Sequence, residues 1–134
     1  MTIGVGGSTV EAELARMSDL ARGIQPIQPR EHEARIARAQ AIMREKGISA
    51  LYLDTSVNLL YFTGLRLKPT ERLHGAILPA DGPVVYLSPV FEEPKTRTML
   101  AIDGDIRGWE EHEDPTALVI DTLTGSGVAS TMVR

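Results

Sequence analysis

The sequence contains no cysteine among its 134 residues. Disulfide bonds, thiolate nucleophiles and cysteine-ligated zinc are therefore excluded, and the absence is typical of a cytoplasmic protein. No apolar run approaches the roughly 20 residues that a membrane-spanning helix needs. The first eight residues also lack the basic and apolar regions of a secretory signal. We therefore expect a cytoplasmic protein without a membrane partner.

The chain also lacks a strong excess of charge of either sign. It has 14 Lys and Arg against 18 Asp and Glu, which gives a net charge of −4. This balance removes the usual electrostatic argument for binding nucleic acid or an anionic membrane. Hydrophobic residues make up 43% and charged residues 24%, values typical of a globular protein, and the length suits one domain.

The N-terminal part predicts a helix that stands before the main domain. Ser8 and Glu11 have the spacing of a capping box, and apolar residues at helical intervals extend the pattern over 9–22. A linker containing two prolines follows and cannot continue the helix. We expect an extension with an amphipathic helix over 1–25 and a domain over 26–134.

Helices and strands alternate along the rest of the chain. The patterns predict a long helix ending at Gly47, a strand over 48–53, a helical turn over 57–63, a hairpin of 75–79 with 83–88, a weak helix over 92–101, a strand over 105–109 and a helix that begins at Asp114-Pro115 and is closed by 124–127. This alternation predicts a three-layer α/β domain with a mixed sheet and helices on both faces.

The sequence offers little that could form a self-contained active site. It has no nucleophile elbow, dinucleotide fingerprint or phosphate-binding loop. The three histidines are not spaced as a ligand pair, and we expect His32, at the start of a helix, to be solvated. His112 lies in the acidic segment 110–114, which is either a metal site or, as we favour, a solvated turn before a capped helix.

A polar loop over 66–74 is the one segment with an unusual density of charge. Arg66, Lys68 and Arg72 lie close to His74 within nine residues. Such a loop is either simply solvated or an anion-recognition loop, because a guanidinium offers a planar fork that matches a carboxylate.

Four segments, taken in order, carry a resemblance to a known family. They are the basic helix with its strand (35–51), the Asn58–Gly64 segment similar to an N-x-x-Y-x-T-G signature, the Arg72–Pro79 segment that leads into the hairpin, and the Trp109–Pro115 segment. Together, residues 26–124 resemble the N-terminal domain of the creatinase/prolidase/aminopeptidase P family of pita-bread metallohydrolases.

The resemblance implies a ribonuclease-H-like α/β fold without catalytic residues of its own. It places catalysis in a C-terminal domain, where two Asp, one His and two Glu hold two divalent metal ions (Mn, Zn or Co). The present chain ends at Arg134, before any such domain. We therefore expect it to be a domain fragment that is inactive alone and holds no metal.

The resemblance also implies a role for the polar loop. In this family the domain packs in a homodimer, and its loop reaches the active-site rim of the partner subunit, where an arginine contacts a substrate carboxylate. Arg72 matches that position, with Arg66 as the substitute and His74 as a further contact. Asn58, Tyr61 and Gly64 are expected to be structural: Asn58 caps or braces the turn, Tyr61 adds buried area and Gly64 permits the helix to end.

Residues and resemblance together predict the non-catalytic N-terminal domain of an Xaa-Pro metallopeptidase (aminopeptidase P or prolidase-like). In the parent enzyme this domain would take part in dimerisation and would form part of the rim of the site for a peptide or small-molecule substrate. Three alternatives remain open at this point. They are a freestanding binding or dimerisation module, the same domain of a creatinase-like amidinohydrolase or related non-peptidase, and a small metal enzyme built on the segment around His112.

Overall fold

A computed structural model describes residues 6–125 of the chain. Its regular elements, in chain order, are α1 (Val10–Arg16), α2 (Pro29–Lys46), β1 (Ala50–Asp54), α3 (Val57–Thr63), β2 (Gly75–Pro79), β3 (Val85–Pro89), a 3-10 turn (Val90–Glu92), α4 (Glu93–Met99), β4 (Asp105–Trp109) and α5 (Pro115–Gly125). These elements follow the predicted order. Of the residues expected to close α5, 126 and 127 lie outside the described range.

The four strands form one mixed sheet with the order β1-β2-β3-β4. β1 pairs antiparallel with β2, β2 pairs antiparallel with β3, and β3 pairs parallel with β4. Gly82 makes the turn of the predicted hairpin with a φ of 100°, a conformation that glycine adopts without strain. The parallel pair needs a crossover, which the 3-10 turn and α4 provide.

Helices cover both faces of the sheet, as the sequence predicts. On one face, Leu78 and Tyr86 join a buried core with Met43 of α2 and Leu59 of α3. Because side chains alternate along a strand, Ile77, Leu87 and Arg107 point to the other face. There α5 packs, and the Arg107 guanidinium lies 3.4 Å from the Thr122 hydroxyl. The result is the expected three-layer α/β arrangement.

The N-terminal helix differs from its prediction in length and cap. It ends at Arg16 instead of reaching residue 22, and its N-cap is Thr9, whose hydroxyl accepts from the Ala12 amide. None of its residues is buried, so its apolar side chains do not pack against the domain. Without a packed face a helix gains little stability beyond its own hydrogen bonds, which explains the short length.

The long helix α2 begins within the segment that the sequence predicts as a linker. Pro29 is the first residue of α2 instead of the last residue of the linker, because proline suits the first helical turn. Gly47, with a φ of 68°, ends the helix as expected. No helix within residues 6–125 has the length and apolar character that crossing a bilayer requires.

Candidate functional site

Hydrogen bonds to the end of β4 and within the loop itself hold the polar loop that precedes β2. The indole Nε1 of Trp109 donates to the backbone oxygen of Leu73 at 2.9 Å, which joins the loop to the end of β4. The Arg72 amide donates to the Thr70 hydroxyl at 3.2 Å. These bonds fix the backbone on both sides of Arg72, so its side chain starts from a defined position.

The Arg72 guanidinium lies at the surface between two carboxylates and an aromatic ring. Its Nε donates to Glu111 Oε1 at 2.7 Å, and its Nη1 donates to Glu71 Oε1 at 2.6 Å. Its Cζ lies 5.5 Å from the ring centre of the exposed Phe91. Hydrogen bonding to Glu111 raises the pKa of Arg72 above its ordinary value. Its Nη2 has no hydrogen-bond partner within residues 6–125.

His74, two residues further on, points into the protein. Its side chain is buried, with Nε2 at 3.0 Å from the Thr96 hydroxyl and Nδ1 at 3.8 Å from a Glu92 carboxylate oxygen. Burial lowers the pKa of His74; Glu92 opposes this effect and Lys95 adds to it. The resemblance implies that His74 is a further contact at the substrate rim; in this structure its ring lies beneath the loop and meets Thr96.

Arg66 lies in a different part of the surface from Arg72. It lines an open groove of about 460 Å³ at the junction of α2 and α3, which continues through Arg35 and Tyr61 into a second hollow along α2. We call this continuous surface the α2–α3 groove. The residues that characterise it are Arg35, Arg38, Arg66, Ile42, Val57 and Tyr61.

His32 supports this groove from within. The sequence predicts a solvated side chain, which is wrong: His32 is buried, and its Nδ1 lies 2.9 Å from the backbone oxygen of Tyr61. The Arg35 guanidinium donates to the same oxygen at 3.0 Å and lies 4.3 Å from the Tyr61 ring centre. The end of α3 has carbonyl groups without helical partners, and these two side chains satisfy one of them.

The three signature residues have unequal roles. Gly64 ends α3 with a φ of 74°, and a Cβ there would lie 2.9 Å from Ala101 Cβ. Tyr61 is half-exposed and packs edge-on against Phe62, so it adds only part of its area to the buried surface. Asn58 is exposed, and the cap of α3 is Ser56, whose hydroxyl accepts from the Asn58 amide.

The acidic segment around His112 forms a turn. The Glu110 amide donates to Glu113 Oε2 at 2.7 Å, and Asp114 accepts from the Thr116 amide at 2.9 Å and so caps α5. His112 is exposed. Within residues 6–125, no group of three or more His, Asp or Glu side chains could hold a metal ion.

Two partners of Arg72 could not be predicted from the sequence. Glu111 is 39 residues away from Arg72, and Phe91 lies in the turn before α4. Only the sheet topology joins them, since both follow strands whose ends reach the same edge as the loop. No local pattern around either residue indicates this contact.

Comparison with known proteins gives consistent matches. A family model described as the Creatinase/Prolidase N-terminal domain matches residues 35–132. A curated relative from Bacillus subtilis (strain 168), named "Putative dipeptidase YkvY", is 27% identical over 99 residues, which are 74% of this chain and 27% of that protein. The chain thus spans about a quarter of the length of this relative.

Solved structures show the same fold. The dipeptidase PepE from Mycobacterium ulcerans aligns with a TM-score of 0.66 and 26% identity, over 75% of this chain and 28% of that one. The N-terminal domain of an Xaa-Pro dipeptidase from Lactobacillus brevis aligns with a TM-score of 0.61 and 21% identity, over 70% of this chain and 69% of that one.

Proposed function

Because the chain belongs to the creatinase/prolidase N-terminal domain family, we propose that it is the non-catalytic N-terminal domain of a metal-dependent Xaa-Pro peptidase. Its similarity to a dipeptidase and to an Xaa-Pro dipeptidase domain supports the substrate class, a peptide. In this proposal the domain forms part of the rim of a substrate site and takes part in a homodimer. The absence of cysteine favours a cytoplasmic location.

The hydrolytic chemistry of the proposed enzyme belongs elsewhere. The described residues 6–125 do not fit a pair of divalent metal ions, because no cluster of suitable ligands exists among them. We therefore assign no catalytic step to this chain. The metal ions, Mn, Zn or Co, would be held by another domain of the parent protein.

The observation that supports the rim proposal most directly is the fixed position of Arg72 at the surface. Its backbone is fixed by the Trp109 and Thr70 bonds, and its Nε and Nη1 are already directed by Glu111 and Glu71. The Nη2 edge is then free to donate to a substrate carboxylate, which is the group that a guanidinium recognises best. A charged hydrogen bond of this kind discriminates between substrates with and without a carboxylate.

Arg72→Ala in the full-length protein tests this role. We expect the KM for an Xaa-Pro dipeptide to rise and kcat/KM to fall by about tenfold to a hundredfold, because a charged hydrogen bond to substrate is lost. Arg66→Ala should have a smaller effect, since Arg66 lines a different surface. Arg97→Ala is the matched control, an exposed arginine that pairs with Glu93 of its own helix.

The outcomes separate the parts of the proposal. Unchanged kinetics in Arg72→Ala would remove Arg72 from the substrate site, and a large effect of Arg66→Ala alone would move the contact to the α2–α3 groove. A full-length protein that hydrolyses no Xaa-Pro peptide with any of the three metals would contradict the peptidase proposal. The freestanding-module alternative gains support if the reading frame ends directly after Arg134.

A further inference from the structure

Two exposed surfaces of this chain are complementary in charge and in apolar character. One is α1 and the other is the α2–α3 groove. We propose that α1 of one copy docks in the α2–α3 groove of a second copy, and that the exchange is reciprocal. The inference deepens the dimerisation part of the proposed function and rests on it.

The groove carries apolar side chains that a folded monomer leaves in water. Val57 is 79% exposed, Tyr61 49% and Ile42 43%; Val57 and Tyr61 line one hollow of the groove, and Tyr61 and Ile42 line the other. Contiguous apolar surface of this kind, rimmed by polar groups, is typical of an interaction site.

The charge on the groove has one sign. Arg35, Arg38 and Arg66 line it, and none of its lining residues is acidic. Arg35 donates to a backbone oxygen, while Arg38 and Arg66 form no ion pair within residues 6–125. An occupant should therefore combine an apolar face with carboxylates at its edges.

Helix α1 has this pattern. Val10, Leu14 and Met17 recur at intervals of four and three residues, which places them on one face of the helix, and they are 67%, 61% and 74% exposed. Glu11 and Glu13 fall on either side of that face at 100° per residue, and the Glu13 carboxylate also pairs with Arg16 at 3.3 Å. The helix thus presents an apolar stripe with a carboxylate on each side, and its two glutamates and one arginine leave it with a net charge of −1.

A second copy is the occupant that accounts for both surfaces at once. In a single copy, α1 has no buried residue and the groove is open. In a two-fold dimer each copy supplies one helix and one groove, so both apolar surfaces leave the water together. The twelve residues 17–28 between α1 and α2 span up to about 40 Å when extended, enough to reach a neighbouring copy.

A charge-exchange experiment tests the proposal on the 134-residue chain. The first variant carries Glu11→Lys with Glu13→Lys, and the second carries Arg38→Glu with Arg66→Glu. Sedimentation equilibrium measures the mass of wild type, of each variant and of a 1:1 mixture, against a monomer of 14.6 kDa. Circular dichroism and thermal unfolding report whether each variant stays folded, which we expect because Arg38 and Arg66 are exposed.

The expected result is a wild-type dimer, two variants that dissociate about tenfold more readily or worse, and a heterodimer in the mixture. Like charges meet in each variant alone, but in the mixture every helix meets a groove of opposite charge. Lys68→Glu with Lys95→Glu is the control with the same change of charge as the second variant, and it should remain dimeric. Both lysines are exposed and lie outside the groove.

Other results would overturn the inference in distinguishable ways. If both variants stay dimeric, the dimer uses another surface, and the proposed dimerisation stands without this contact. If the mixture stays monomeric, the two sets of charges do not meet across the dimer interface, and the proposed docking is wrong. If the lysine control dissociates as well, overall charge explains the effect. A wild-type chain that is monomeric at every concentration contradicts the inference together with the dimerisation role of this domain.

Discussion

Two surfaces of this domain are built from the same parts and differ in how their charge is compensated. Near the loop before β2, Arg72 lies on Phe91 and a buried histidine, His74, supports the loop. In the α2–α3 groove, Arg35 lies on Tyr61 and another buried histidine, His32, binds the end of α3.

The difference lies in the acidic partners. Arg72 bonds to two glutamates at 2.6 and 2.7 Å, whereas Arg35 bonds to a backbone oxygen. Two carboxylates hold the Arg72 guanidinium in one direction and outweigh its positive charge, so this site offers a directed hydrogen bond and no long-range attraction for an anion. The groove keeps its positive charge, which suits attraction of an acidic segment.

The largest expected loss of stability comes from a substitution at Gly64, which lies beside His32 under the α2–α3 groove. Gly64→Ala should destabilise the chain by about 2–5 kcal/mol, since alanine is strained at a φ of 74° and its Cβ would overlap Ala101 and crowd His32. The measurement is urea unfolding of the 134-residue chain.

Gly47→Ala separates the two causes of that loss. Gly47 has a similar φ of 68°, but a Cβ there meets nothing within 4 Å. It should cost only the backbone strain, about 1–2 kcal/mol. Equal losses at the two positions would show that the packing around Gly64 has no part in the effect.

The fold could be predicted to a large extent because its signals are local. Gly47 and Gly64 end helices at the positions that the sequence indicates, and the Asp81-Gly82 turn sets the hairpin. The extent of α1 could not be predicted in this way. Its capping and apolar periodicity are present, but the number of turns depends on a packed face, which no local pattern reports.

The candidate site could be predicted only in part. Arg72 comes from the loop composition and the family resemblance, and its position at the surface agrees with an exposed contact. The burial of His32 and His74 could not be predicted, because each depends on a partner 22 or more residues away. The partner is Tyr61 for His32 and Thr96 for His74. Neither partner can be found from the sequence around the histidine, because the packing of α2 on α3 places Tyr61 against His32, and the crossover helix α4 places Thr96 against His74.

The second prediction concerns a substitution beneath the Arg72 loop that does not touch the groove. Thr96→Val preserves the volume of a buried side chain but removes the hydroxyl 3.0 Å from His74 Nε2. A buried polar atom without a partner costs about 1–3 kcal/mol, so the free energy of unfolding should fall by that amount. The loss should be smaller than that of Gly64→Ala.

An exposed threonine on the same helix provides the control. Thr98→Val also removes a hydroxyl, but that side chain is exposed and its bond is to the Lys95 oxygen of its own turn. It should change the free energy of unfolding by less than about 0.5 kcal/mol. Similar losses for both threonines would contradict a special role for the contact with His74.

The smallest expected effect is a pH dependence of stability that comes from His74, below the Arg72 loop. Burial lowers the pKa of His74 below its ordinary value of 6.5, so between these two values the unfolded chain binds more protons than the folded one. Stability should therefore be full above about pH 7.5, fall as the pH drops through about 6.5, and level off below the folded-state pKa.

One histidine limits the slope to about 1.4 kcal/mol per pH unit, and urea unfolding between about pH 7.5 and 5.5 measures it before most carboxylates titrate. His74→Gln cannot titrate and should flatten the curve in this range, whereas His112→Gln, an exposed site, should leave it unchanged. A curve that stays as steep in His74→Gln would assign the dependence to another group. A flat wild-type curve would mean that Glu92, 3.8 Å from Nδ1, compensates the burial of His74 completely.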